Sequence, residues 1–116
     1  MTRDEVQAWL DAYVAAWRSY EGIAELFSAD AEYRYHPYDD AQRGREAIVA
    51  GWLEEPDDPG SWEARYEPLL VEGDRAVATG ETRYADGQTF SNLFVLGFDG
   101  EGRCREFIEW YMEHPT

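Results

Sequence analysis

Residues 89–113, TFSNLFVLGFDGEGRCREFIEWYME, decide the fold. Two apolar runs flank the turn signal Gly100-Glu101-Gly102, so Thr89–Asp99 and Arg103–Glu113 read as neighbouring antiparallel strands. Alternate residues of a strand point to opposite faces. One face of the first run holds Phe90, Asn92, Phe94, Leu96 and Phe98, and one face of the second holds Phe107, Glu109 and Tyr111. The opposite faces hold Ser91, Leu93 and Val95, then Ile108, Trp110 and Met112. An ionised carboxylate buried among aromatic rings costs several kcal/mol unless a partner offsets it. Glu109 is therefore the residue that demands a reason.

Upstream, Trp62–Glu72 and Arg75–Ala85 read as two more strands, joined by Gly73-Asp74 and followed by the turn Asp86-Gly87. Within the second, Glu81-Thr82-Arg83 again sets polar groups into a strand pattern. Before Trp62 the period changes. Thr2-Arg3-Asp4-Glu5 is a capping box, and Val6, Trp9, Leu10, Tyr13, Val14 and Trp17 form one stripe of a helix. Ser19 reads as the cap of a shorter helix carrying Ile23, Leu26 and Phe27. Ala31–Tyr35 has strand character and stops at His36-Pro37; Asp39–Arg43 reads as a polar loop. Gly44 opens a third helix through Ile48, Val49, Trp52 and Leu53, ended by Pro56, Pro59 and Gly60. Helices first and a strand meander afterward predict one α+β domain over residues 1–116, the helices packed on one face of a curved sheet.

Bulk composition narrows the classes of function. With 44% hydrophobic and 16% aromatic residues, 116 residues suffice for a core without disulfides or metal. Formal net charge is −15, every basic residue is Arg, and such a surface repels phosphate backbones and anionic lipid. Neither a nucleic-acid nor a membrane role is expected. One cysteine, Cys104, excludes an internal disulfide, and two histidines argue against a metal site. The expectation is a cytoplasmic protein with no cofactor. Because both faces of the last strands are substantially apolar, the outer face is expected to pair with a second copy through Leu93, Val95, Ile108 and Trp110. Alternatively the sheet curls enough to cover itself.

Five segments then carry a resemblance. They are Tyr13-Val14-Ala15-Ala16-Trp17, Leu26-Phe27-Ser28-Ala29-Asp30-Ala31, Gly44-Arg45-Glu46-Ala47-Ile48, Phe98-Asp99-Gly100-Glu101-Gly102-Arg103 and Phe107-Ile108-Glu109-Trp110-Tyr111. In this order the chain resembles the SnoaL-like branch of the nuclear transport factor 2-like superfamily. The resemblance implies a conical α+β fold, three N-terminal helices in a strongly curved mixed or antiparallel sheet enclosing a cavity, commonly as a dimer. Relatives include ketosteroid isomerases, polyketide cyclases and epoxide hydrolases, besides non-catalytic modules, so fold alone does not give function. Tyr13 matches the isomerases' oxyanion-donating tyrosine. Their base falls at His36 or Tyr35 and their second acid at Phe94. Against limonene epoxide hydrolase, Glu109 matches the last-strand acid, Tyr33 the water-positioning tyrosine and Tyr35 its companion; the Arg–acid pair falls at Glu81-Thr82-Arg83, reversed.

The candidate catalytic residues are Glu109, Tyr13 and His36. Glu109 is either an acid–base group with a raised pKa or half of a structural ion pair with Arg83. Glu81 and Arg83 share parity and are expected to reach it, or else to form an exposed pair. His36 ends the first strand, as a base at the cavity mouth or as a surface histidine. Trp17, Tyr33, Tyr35, Trp52, Asn92, Phe94, Phe107 and Tyr111 are candidate ligand contacts, and Asn92 alternatively bonds backbone. The functional expectation is a pocket for a small apolar or oxygenated ligand, with isomerase, cyclase or hydrolase chemistry on Glu109. The alternative is a ligand-binding or interaction module without chemistry.

Overall fold

The computed structural model describes residues 1–54 and 56–115. In chain order the elements are α1 (Arg3–Ser19), α2 (Ile23–Leu26), β1 (Phe27–Arg34), β2 (Gln42–Arg43), α3 (Arg45–Glu54), β3 (Trp62–Glu72), β4 (Arg75–Tyr84), β5 (Thr89–Phe98) and β6 (Cys104–Glu113). Helix α1 begins with a reciprocal capping box: the Thr2 hydroxyl accepts from the Glu5 amide at 3.1 Å, and Glu5 Oε1 accepts from the Thr2 amide at 2.8 Å. It ends at Tyr20, whose φ of 58° is left-handed and stops the helix without a glycine. Val6, Trp9, Leu10, Tyr13 and Ala16 form its buried stripe.

Three local expectations need correction. Ser19 does not cap α2; its hydroxyl donates to the Ala15 carbonyl, and Gly22 stands at the cap. Phe27 is not helical. It is already extended (φ −119°, ψ 147°) and wholly buried, so β1 starts there rather than at Ala31. The loop Asp39–Arg43 ends in a two-residue strand, because Gln42 and Arg43 pair with Tyr33 and Glu32. An Arg43–Glu32 ion pair at 3.0 Å accompanies the pairing.

The six strands form one mixed, unclosed sheet in the order β2-β1-β6-β5-β4-β3. Among the described residues only β1 and β6 run parallel, with Tyr33 opposite Phe107; the remaining neighbours are antiparallel. Irregular register in β1 and at Pro68/Leu70 and Gly97/Phe98 bends the strands, as bulges do. Helix α1 packs on β3 near one edge and α3 on β1 near the other, so the sheet wraps the helices. The α+β cone follows. Its core is aromatic: Trp9, Tyr13, Phe27, Tyr33, Phe94 and Phe107 pack as one cluster. Gly80 is required here, since a Cβ would collide with the Arg65 carbonyl and the Tyr66 ring. Among the described residues no helix is long and apolar enough to cross a membrane.

Candidate functional site

Above the aromatic core the cone leaves a cavity of about 410 Å³. Tyr13 and Trp17 reach it from α1, Tyr33 from β1, Tyr35 just beyond that strand and Trp52 from α3. The sheet contributes Tyr66, Thr82, Tyr84, Asn92, Glu109 and Tyr111. A broader groove crosses the outer sheet face, but its Glu63, Arg65, Glu67 and Arg83 are exposed to solvent. The cavity, unlike this groove, gathers the buried acid Glu109 and the hydroxyls of Tyr13 and Tyr33.

Glu109 stands on β6 opposite Phe94. Burial raises its pKa from the ordinary 4.5 to about 7, against the lowering influence of the Asn92 hydrogen bond and the nearby His36. Asn92 Nδ2 donates to Glu109 Oε2 at 2.8 Å. The Asn92 carbonyl in turn accepts from the Thr82 hydroxyl at 2.9 Å, and Thr82 Oγ1 lies 2.6 Å from the Tyr66 hydroxyl. Since the Thr82 proton is committed to Asn92, Tyr66 is the donor of that last bond. The line Tyr66–Thr82–Asn92–Glu109 thus points every donor toward the carboxylate. It holds one carboxylate oxygen by a neutral amide, and among the described residues no Arg forms an ion pair with the acid.

Tyr13 and Tyr33 place their hydroxyls 3.2 Å apart. Burial raises both pKa values far above the ordinary 10, so both are protonated donors. Beneath them Phe107 stacks on Tyr33 at 4.3 Å and on Tyr13 at 5.4 Å. Phe94 and Phe107 are fully buried and form the floor, which corrects their reading as direct ligand contacts. His36 does not line the cavity either. It sits at the mouth, with Nδ1 2.8 Å from Asp39 Oδ2 and Nε2 2.8 Å from the Tyr111 hydroxyl. From there it bonds Tyr111, which lines the cavity, and acts through space on Glu109, whose pKa it lowers.

The expected approach of Glu81 and Arg83 to Glu109 is overturned. Register sets Thr82 opposite Phe90 and Ala64 on the inner face, so Glu81 and Arg83 point outward. There they pair with each other at 3.0 Å. Tyr13, Trp17, Tyr33, Tyr35, Trp52, Asn92, Glu109 and Tyr111 do come together around the cavity. Sequence reasoning missed Tyr20, Asp57, Tyr66, Thr82 and Tyr84. The parity of Trp62, Ala64 and Tyr66, and of Thr82 and Tyr84, held a signal for the strand residues. Tyr20 and Asp57 lie outside helix and strand, where no periodicity applies; Asp57 takes the Trp17 indole N–H on Oδ2 at 3.1 Å, and its amide donates to the Tyr20 hydroxyl at 2.6 Å. Among the described residues no three His, Cys, Asp or Glu side chains converge as a metal would need.

A curled mixed sheet around helices, with a cavity and an acid on the last strand, defines a pocket-bearing α+β cone. The SnoaL-like domain model matches residues 6–113, and the chain belongs to that family. Similar solved structures include a protein of unknown function from Mesorhizobium loti, nuclear transport factor 2-like, at 19% identity and TM-score 0.69, covering 95% of this chain and 93% of that one. Another, from Burkholderia xenovorans LB400, is likewise of unknown function; it is 18% identical with TM-score 0.73, covering 97% and 89% of the two chains. A search of the curated proteins found no match. These likenesses establish the fold.

Proposed function

We propose that the cavity binds a small molecule with a largely apolar body and that Glu109 takes a proton from it and returns it. The observation that carries this reading is Glu109 itself: a carboxyl in the cavity, held by a neutral amide and with a pKa of about 7. Such a group exchanges protons readily near neutral pH. The Tyr13–Tyr33 hydroxyl pair supplies a donor for an oxygen that gains charge as the proton leaves. The reaction class is proton transfer beside a carbonyl, or water activation, without need of a cofactor.

The test is deuterium incorporation from D₂O into a neutral β,γ-unsaturated cyclic ketone, followed by NMR. Exchange above the buffer rate, rising as pH passes about 7 and lost in Glu109→Gln, is expected. Equal exchange in wild type and variant overturns the acid–base role. Ketone binding that persists without exchange makes the cavity a non-catalytic binding site.

We further propose that the outer sheet face pairs with a second copy about a two-fold axis. Trp110 and Met112 are exposed there, and Leu93, Val95 and Ile108 are half-buried. Glu and Arg alternate beside them at residues 63, 65, 67, 81 and 83, so a two-fold copy can set Arg against Glu. Sedimentation equilibrium should give a dimer that Trp110→Arg dissociates; a wild-type monomer removes the proposal.

A further inference from the structure

The lining of the cavity combines aromatic rings with two carboxylates, Glu109 and Asp57, and contains no Lys or Arg. We propose that its ligand carries a cationic nitrogen, a quaternary or protonated alkylammonium on an apolar body, held against the aromatic rings with Glu109 and Asp57 as counter-charges. This rests on the small-molecule reading of the same cavity and adds the ligand's chemical class.

Ring geometry is the first support. Trp52 meets Tyr13 at 88° and Tyr33 at 76°, and Phe90 meets Tyr84 at 86° and Tyr111 at 80°. Around Trp52 and Phe90, neighbouring rings therefore meet as the walls of a box do. An ammonium group enclosed by aromatic rings is attracted to their electron-rich faces.

Hydrogen-bonding capacity gives the second. Of the seven tyrosines in the lining, five already bond the protein through their hydroxyls: Tyr13 with Tyr33, Tyr66 with Thr82, Tyr111 with His36, and Tyr20 with the Asp57 amide. Much of their capacity for an oxygen-rich ligand is thus engaged. Glu109 and Asp57 each have a neutral side-chain partner, Asn92 and the Trp17 indole respectively. Neither belongs to an ion pair among the described residues. Two acids without a counter-ion in a recessed site are the complement of a cation.

The field of the site agrees. After burial itself, the charge of Asp57 and then that of Glu109 raise the Tyr84 hydroxyl to about 12, and Tyr35 is raised by both. A field that penalises a phenolate favours a cation in the same place. At long range the net charge of −15 draws cations toward the molecule.

The experiment is calorimetric titration of the wild-type protein at pH 8 with 4-(trimethylammonio)benzyl alcohol and with its neutral isostere, 4-tert-butylbenzyl alcohol. The two share shape and differ by one charge. Binding of the cation at least about tenfold tighter is expected, an advantage reduced in both Glu109→Gln and Asp57→Asn. Equal affinities, or preference for the isostere, overturn the cation assignment and leave the apolar pocket standing. Binding of neither also overturns it, and the acid–base reading is then decided by the exchange assay, whose substrate is neutral. The cation–isostere ratio needs no variant, so a variant that fails to fold does not obscure the result.

Discussion

The Asn92 amide donates to the Glu109 carboxylate at 2.8 Å, from a diagonal position on the neighbouring strand. An amide orients a carboxylate without neutralising it. A guanidinium in its place would hold the acid ionised well below neutral pH and remove it from acid–base work. Keeping Arg83 on the outer face and Asn92 on the inner one is what leaves Glu109 able to titrate near pH 7.

Glu109→Gln should change stability with a definite dependence on pH. The folded acid has a pKa of about 7 against an ordinary 4.5, so the folded state holds its proton more tightly than the unfolded state. Below about pH 4.5 both states are protonated and wild type bears no penalty. The penalty grows from there to about pH 7 and is complete above it, at about 3 kcal/mol. The glutamine variant, which still accepts from Asn92, should match wild type near pH 4 and exceed it at pH 8 in urea unfolding. A variant much weaker at pH 8 contradicts this account.

Removing the amide exposes its role in setting the acid. The Asn92 hydrogen bond lowers the Glu109 pKa, so Asn92→Leu should move the titration to higher pH. Carbon-13 NMR of labelled glutamate side chains reads the shift; an unchanged midpoint rejects it.

Thr82→Val keeps the shape of the side chain and deletes the hydroxyl between Tyr66 and Asn92. Both partners are then left without it in a buried setting, at a cost of about 1–3 kcal/mol. Thr82→Ser retains the hydroxyl and should recover most of that loss in chemical denaturation.

Arg83→Ala should alter stability by less than about 1 kcal/mol, because its partner Glu81 is also partly exposed. The Glu109 titration should stay where it is. A large loss of stability, or a displaced Glu109 midpoint, would restore the ion pair that the strand register excludes.

Gly80→Ala places a methyl group against the Arg65 carbonyl and the Tyr66 ring. Neither neighbour is the free end of a flexible side chain, so about 1–3 kcal/mol of destabilisation is expected. Displacement of Tyr66 should also disturb the hydrogen-bonded line to Glu109, seen as a change in its titration.

Much of the fold was legible because its signals are local. The capping box of α1, its stripe from Val6 to Trp17 and the glycine turns between strands act within a few residues of chain. Parity on β5 and β6 alone brings Asn92, Glu109 and Tyr111 to one face, since two successive side chains cannot share a face. On β4 the sequence offered no such decision. Val77 and Thr79 look no less suited to an interior than Ala76, Ala78 and Gly80, and Glu81-Thr82-Arg83 is polar on both faces. The small residues face inward where the sheet closes over the core, and that contact alone sends Thr82 to the cavity and Arg83 to solvent. Asp57 and Tyr20 reach the site from outside helix and strand, joined by a hydrogen bond that spans 37 positions. Sequence by itself determined most of the elements and the acid on the last strand, through short-range periodicity. Tertiary structure alone decided that acid's partners, because which groups meet across a cavity depends on how distant segments pack.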